Sequence, residues 1–169
     1  MNVPMFEFKA RCQRVRANMA HEGIDYLLIG PSEDMTYLCG FLHQQSERLT
    51  ILIIPSDGNE IILLIPEFER AIAAPWASFF ELVTWNDRED PATKLAGLIN
   101  NRANGKRVAL SNKIFFHFAQ RMKEKLSGAR FVSGATLIDP VRMCKDPIEL
   151  ECLSAASTAT DLVYSDLLE

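Results

Sequence analysis

The 169-residue chain has little of what marks a specialised protein class. Its longest apolar runs, Ile51 to Pro55 and Ile61 to Pro66, fall far short of the ~20 residues a membrane helix needs. There is no secretory core at the start, where Met1-Asn2-Val3-Pro4 is soon followed by Glu7, Lys9 and Arg11. Basic residues are in the minority. Lys plus Arg is 18 against 22 for Asp plus Glu, a formal charge of −4 with a pI of about 5.4, which argues against a nucleic-acid surface. The four cysteines, Cys12, Cys39, Cys144 and Cys152, form no C-x-x-C pair. They read as buried or idle thiols in a reducing cytoplasm, with a disulfide or metal role as the alternative. No internal repeat and no low-complexity linker interrupts the chain. What remains is globular composition, 48% apolar and 24% charged, which excludes a disordered tail. The length suits one domain burying roughly 70% of its unfolded surface without staples.

Catalytic signatures are equally scarce. His21, His43 and His117 have no second histidine three or four residues away. His21-Glu22 opens a zincin-like string, but Asp25 stands where the second histidine belongs. All three read as surface or satisfied polar side chains. Phosphate loops, G-x-G-x-x-G turns and G-x-S-x-G elbows are missing. Asp87, Glu89 and Asp90 cluster before a helix and read as turn and cap. The residues offer no self-sufficient active site.

The elements are clearer. Phe8, Cys12, Val15 and Met19 make a helical stripe, with Lys9, Arg11, Arg14 and Arg16 read as its solvated face and Gly23 as its stop. Ile24 to Gly30 reads as a buried first strand and Ser32 to Leu38 as one or two helical turns. Leu49 to Ile54 and Glu60 to Ile65 read as a hairpin around Pro55-Ser56-Asp57-Gly58-Asn59. The second of these runs has no polar face, so both its sides are covered. A short helix is expected from Pro66 through Ala74, stopped by Pro75, and then a strand from Phe79 to Thr84. Asp90 and Pro91 begin a helix to about Asn101. Arg107 to Leu110, Phe115 to Leu126 and Arg130 to Ser133 follow as strand, helix and strand. Early antiparallel pairing followed by strand-helix alternation predicts an α/β sheet of mixed direction with helices on both faces.

A last helix begins at Asp146 and Pro147, with Glu149 in the place of a capping-box acid. Ile148, Cys152, Ala155, Ala156, Ala159, Leu162 and Val163 share one side. The helix runs to Glu169 without a stop residue, and its last turn carries Asp166 and Glu169, the wrong charge for a C-terminus. The expectation is a chain cut inside a longer protein.

One loop stands out. Tyr37-Leu38-Cys39-Gly40-Phe41 is followed by a polar stretch and then by Glu47-Arg48. An aromatic and a guanidinium beside a glycine suit an anionic or planar ligand. The plainer alternative puts Tyr37 and Phe41 in the core, makes Gly40 a turn, and pairs Arg48 with Glu47 or solvent.

Four stretches together resemble the creatinase/prolidase N-terminal domain. Gly23-Ile24-Asp25-Tyr26-Leu27-Leu28-Ile29 is similar to its first strand. Tyr37-Leu38-Cys39-Gly40-Phe41 is similar to its Tyr-Leu-x-Gly-Phe segment, and Leu63-Leu64-Ile65-Pro66-Glu67-Phe68-Glu69 to its strand-to-helix step. Leu137 to Glu151 is similar to its closing Leu-Arg-x-x-Lys-x-x-x-Glu-Ile-Glu signature, with Val141 and Leu150 as mild departures. Their order and separations match across nearly the whole chain.

This resemblance implies the family of Xaa-Pro dipeptidases, aminopeptidase P and creatinase. It implies a single-domain, three-layer α/β/α sandwich with a mixed sheet, related to the ribonuclease H motif. It divides the chain into an N-terminal domain, 1–145, and a helix, 146–169, leading to a C-terminal catalytic domain that lies outside it. In the family that second, pita-bread domain carries two Asp, one His and two Glu on a pair of divalent metal ions, manganese being the expected ion, and a histidine-rich substrate site. No cofactor is implied within this chain. The implied parent is a cytoplasmic Xaa-Pro dipeptidase, a homodimer acting on Xaa-Pro peptides, with neither nucleic acid nor membrane as a partner. The implied role here is dimerisation and closure of the cleft, with Phe41 and Arg48 near the substrate. A catalytically dead binding module and a creatinase-like amidinohydrolase share the same domain.

Overall fold

The computed structural model describes residues 7–58, 60–99 and 105–168. The first helix, α1 (Phe8–Glu22), buries Phe8, Cys12, Val15 and Met19 and ends on Gly23 in the left-handed region, φ 63°. The Gly23 N–H donates to Ala20 O and the Ile24 N–H to Met19 O, which satisfies the last turn. Arg11 departs from the expected solvated face. It is only 3% exposed, because its guanidinium donates to Tyr37 O (3.0 Å) and to Asp146 Oδ2 (2.9 Å). Arg16 donates to Pro55 O, while Lys9 and Arg14 stay exposed.

The chain continues through β1 (Tyr26–Ile29), α2 (Glu33–Cys39), β2 (Ile51–Pro55) and β3 (Ile62–Pro66). The expected hairpin forms, β2 and β3 pairing antiparallel with Ile51 opposite Leu64; Asn59 of its turn lies outside the described residues. Pro66 is the last residue of β3 rather than the first of a helix. A 3-10 turn (Glu67–Glu69), a single α turn, α3 (Arg70–Ala73), and a second 3-10 turn (Ala74–Trp76) follow. Pro75 does not stop this segment, since it sits at the start of the last turn, where no N–H is needed. Next comes β4, which is shifted to Glu81–Trp85 because Phe79 still closes the preceding turn onto Trp76 O.

Capped by Asp90, α4 (Pro91–Ile99) gives its Ala92 N–H to Oδ1 and its Thr93 hydroxyl to Oδ2; the expected extension to Asn101 lies outside the described residues. The chain then forms β5 (Arg107–Leu110), α5 (Phe116–Lys125) and β6 (Arg130–Ser133). No element is read from the sequence over 135–143, yet α6 (Ala135–Met143) forms there with Pro140 inside it. An interior proline costs about 3 kcal/mol. Burial of Leu137, Ile138 and Val141, at about 1.5–3 kcal/mol each, outweighs it.

The sheet order is β4-β3-β2-β1-β5-β6, with β2 alone reversed. The run β3-β2-β1-β5-β6 is the ribonuclease H-like motif, and β4 adds an edge. Alternate residues face opposite layers. Leu27, Ile29, Leu52, Ile54, Leu63 and Ile65 pack toward α1, α2 and α6. Leu28, Ile51, Ile53 and Leu64 pack toward α4 and α5. The protein is thus a single α/β/α domain of three layers, and all strands but β2 end at one edge, where ligand sites of open α/β sheets gather.

The last helix, α7 (Pro147–Leu168), starts with the reciprocal capping box. The Glu149 N–H donates to Asp146 Oδ1 (2.8 Å) and the Asp146 N–H to Glu149 Oε2 (2.9 Å). Beyond Glu149 its described residues are exposed.

Candidate functional site

The segment 40–50 runs from α2 to β2 along the sheet edge where β1, β3, β4 and β5 end, without regular structure of its own. Its entry is fixed by Gly40, φ 76°, whose N–H donates to Thr36 O and so terminates α2. Phe41 is 1% exposed and sits in the layer facing α1. Its ring stacks on His43, centroids 5.4 Å apart and planes 11° from parallel. Burial therefore makes Phe41 the anchor of the loop, with Arg48 at the surface seven residues on.

Arg48 is gripped from two sides. Its Nε and Nη2 donate to the two carboxylate oxygens of Asp87 (3.3 and 3.5 Å), and Nη1 donates to Glu47 Oε1 (2.9 Å). The guanidinium also stands over the Phe68 ring, 5.2 Å from its centroid. The hydrogen bond to Asp87 and the charges of Asp87, Glu47 and Glu69 push its pKa further up. Glu47 and Asp87 are 81% and 73% exposed, so the grip is a solvated one and easily exchanged.

Beneath the loop, Glu69 is buried, its Oε2 3.4 Å from His43 Nε2. Burial pushes the Glu69 carboxyl above the ordinary carboxylate range, while His43, Thr50 and Arg48 pull it back in part. Asp87, read from sequence as a turn residue, turns out to be the partner of Arg48. Glu69 and Phe68 carried no expected role. The signal available for them was an aromatic and an acid side by side in the turn that ends an otherwise apolar strand.

A groove of about 810 Å³ opens beside the loop, between α2 and the first turns of α7. Phe8, Tyr37, Leu42, Trp76 and Leu153 give it an apolar lining, and Arg142 stands at its side. Arg48 lies outside it, lining instead a crevice of about 10 Å³ with Gln45, Thr50 and Phe115, at most one water in size. Tyr37 is half-buried, donates its hydroxyl to Val141 O (3.1 Å), and takes the Arg11 guanidinium on its ring face at 4.1 Å.

Burial pushes the Cys12 thiol up to about 11 and the Cys39 thiol up to about 12, so neither supplies a thiolate at neutral pH. Cys144 and Cys152 are exposed free cysteines. His21 stands in the last turn of α1, and His117 packs against Phe118, ring centroids 3.9 Å apart. Among the described residues no group of three His, Cys, Asp or Glu is placed to hold a metal ion, and no helix is long and apolar enough to cross a membrane.

Residues 11–144 match the model of the creatinase/prolidase N-terminal domain. The chain is 27% identical over 153 residues to the putative dipeptidase YkvY of Bacillus subtilis, covering 89% of this chain and 42% of that one. It is 27% identical over 167 residues to the probable dipeptidase PepE of Mycobacterium tuberculosis, covering 96% and 43%. It superposes on a prolidase from Thermococcus sibiricus with a TM-score of 0.87 at 22% identity, covering 96% of this chain and 44% of that one. The chain thus spans less than half the length of these relatives.

Proposed function

The chain belongs to the creatinase/prolidase N-terminal domain family, and from that premise we propose that it is the non-catalytic N-terminal domain of a cytoplasmic, metal-dependent Xaa-Pro dipeptidase. The observation that carries this reading is one of proportion. A chain matching 42–43% of two dipeptidases assembles, among its described residues, no cluster able to bind metal. In this reading the catalytic metals, two divalent ions with manganese expected, belong to a following domain. Among the described residues no group of His, Cys, Asp and Glu fits them, and on these terms no step of the reaction is routed through this chain.

Its share is substrate selection, cleft closure and contacts of a homodimer. Arg48 is the group assigned to the first task in this reading. An Xaa-Pro dipeptide ends in a carboxylate, which a guanidinium matches. Asp87 and Glu47 hold the fork loosely from two sides, and the exposed Glu47 is the carboxylate that a substrate anion would displace. Phe41 serves from below, holding the loop's root in the core.

The test is Arg48→Ala in the full-length protein. Loss of a charged hydrogen bond predicts a fall of about ten- to hundredfold in kcat/KM, mainly through KM, with folding intact. Unchanged kinetics would return Arg48 to a surface ion pair. Metal-dependent hydrolysis of an Xaa-Pro dipeptide by the 169-residue chain alone would overturn the non-catalytic reading. A downstream segment without ordered Asp, Asp, His, Glu and Glu would point to a binding module instead.

A further inference from the structure

Among the described residues, Glu69 is the one buried carboxylate, 6% exposed. Its Oε2, the facing His43 Nε2 and the Thr50 hydroxyl are all buried without an aligned hydrogen bond. Such a charge is costly, because its desolvation is only partly offset by His43, Thr50 and Arg48. A glutamine or an apolar residue would satisfy the fold more cheaply. The carboxylate must therefore be weighed by what it holds, which is the 40–50 loop.

The turn Glu67–Glu69 grips that loop at two points with neighbouring residues. Phe68 faces outward, 64% exposed, under the Arg48 guanidinium. Glu69 faces inward against His43, which is itself pressed flat on Phe41. The side-chain ties between His43 and Arg48 are few: Gln45 Nε2 donates to Lys113 O, and Ser46 bonds the backbone of Arg48, while past Arg48 the loop is held again where Trp85 Nε1 donates to Leu49 O (2.8 Å). Between its buried root at Phe41 and its hold at Arg48 and Leu49, the loop rests on Glu69 through His43.

We propose that Glu69 is a positioning residue for Arg48: its buried charge clamps His43, fixes the loop, and presents the guanidinium over Phe68 in one orientation. The clamp itself is independent of function; its importance for turnover rests on the reading of Arg48 as substrate-facing.

The test compares Glu69→Gln and His43→Phe with the wild-type chain by hydrogen exchange and thermal unfolding. Glu69→Gln removes the charge but keeps the shape. The expected result is an unchanged or raised unfolding temperature with at least about tenfold faster exchange at the amides of residues 42–48, while β2 and β3 keep their protection. His43→Phe gives the same local loosening, and the double variant gives no more than either alone, since both break one link. Loop exchange equal to wild type in Glu69→Gln, or effects that simply add in the double variant, overturns the clamp. Failure of the glutamine variant to fold while His43→Phe folds with a protected loop overturns it too. In the full-length protein, Glu69→Gln is expected to raise KM several-fold with kcat retained. If Arg48→Ala leaves kinetics unchanged, the substrate reading fails while the exchange result stands; if exchange is unchanged, the clamp alone fails.

Discussion

Gly40 shows how narrowly single positions are set. It ends α2 with φ 76°, and a Cβ there would lie 2.5 Å from Trp76 Cζ3 and 2.8 Å from Phe8 Cζ. Those rings are packed edge to face, centroids 6.2 Å apart, and cannot both withdraw without opening the layer beneath α1. Gly40→Ala therefore carries a left-handed backbone penalty of about 1–2 kcal/mol plus an overpacking penalty of about 1–3 kcal/mol. Gly58 is the natural control. Its φ is 83°, but no atom lies within 4 Å of the added carbon. Gly58→Ala should cost only the backbone share. Urea unfolding of the two variants separates the terms, and equal midpoints would show that the Trp76 contact adds nothing. The same position sets the course of the loop, because the turn at Gly40 sends Phe41 inward and starts the chain toward Arg48.

At the scale of elements, the join between the domain body and α7 is an electrostatic one. Arg11 is buried on α1, yet reaches Asp146 at 2.9 Å and Glu149 at 3.3 Å. The Glu149 N–H, first, and then the Arg11 guanidinium hold the Asp146 carboxyl below the ordinary carboxylate range. A depressed folded pKa means stability that is complete above the unfolded value of about 3.9 and lost as pH falls through the lower folded value. Acidification below about pH 4 should therefore release the first turn of α7. Asp146→Ala should remove that pH dependence and cost about 0.5–2 kcal/mol as a lost cap. Amide exchange at Glu149 and Leu150 against pH reads both; a first turn that keeps its protection in Asp146→Ala would discount the cap. The elements also show what a sequence can disclose. The capping box, the β2–β3 hairpin, β5 and β6 were legible because their signals are local: a cap with its acid three residues on, and apolar runs broken by turn residues. The burial of Arg11 was not, since its partner stands 135 residues away. Helix α6 was hidden because Pro140 speaks against a helix locally, while the layer that overrides it is tertiary. For the candidate site, the plainer alternative matches what the structure shows, with Phe41 in the core, Gly40 a turn and Arg48 paired with Glu47. Glu69 and Asp87 became visible only when the sheet brought their turns together.

At the scale of the whole molecule, the body and α7 obey different physics. The body is closed by two apolar layers on one sheet. By contrast α7, 22 residues and so about 33 Å long, leaves Leu162, Val163, Tyr164, Leu167 and Leu168 each at least 59% exposed. The family match ends at Cys144, before this helix starts. Residues beyond Leu153 line neither the apolar layers nor the groove beside α2. A chain shortened to end at Ala156 should therefore unfold within about 3 °C of the full 169 residues, the shift that 1 kcal/mol produces at this size. The exposed apolar face carries a second consequence, since surfaces of this kind seek cover. The 169-residue chain should self-associate with rising concentration in sedimentation, and the shortened chain should not. Under the proposed function, that face is covered in the full-length protein. Amides of residues 157–168 should then exchange fast in the 169-residue chain and slowly in the complete enzyme. Equal exchange in both would mean that α7 stands clear of the catalytic domain and acts as a bare spacer. The domain boundary would then be set by the Arg11–Asp146 join alone.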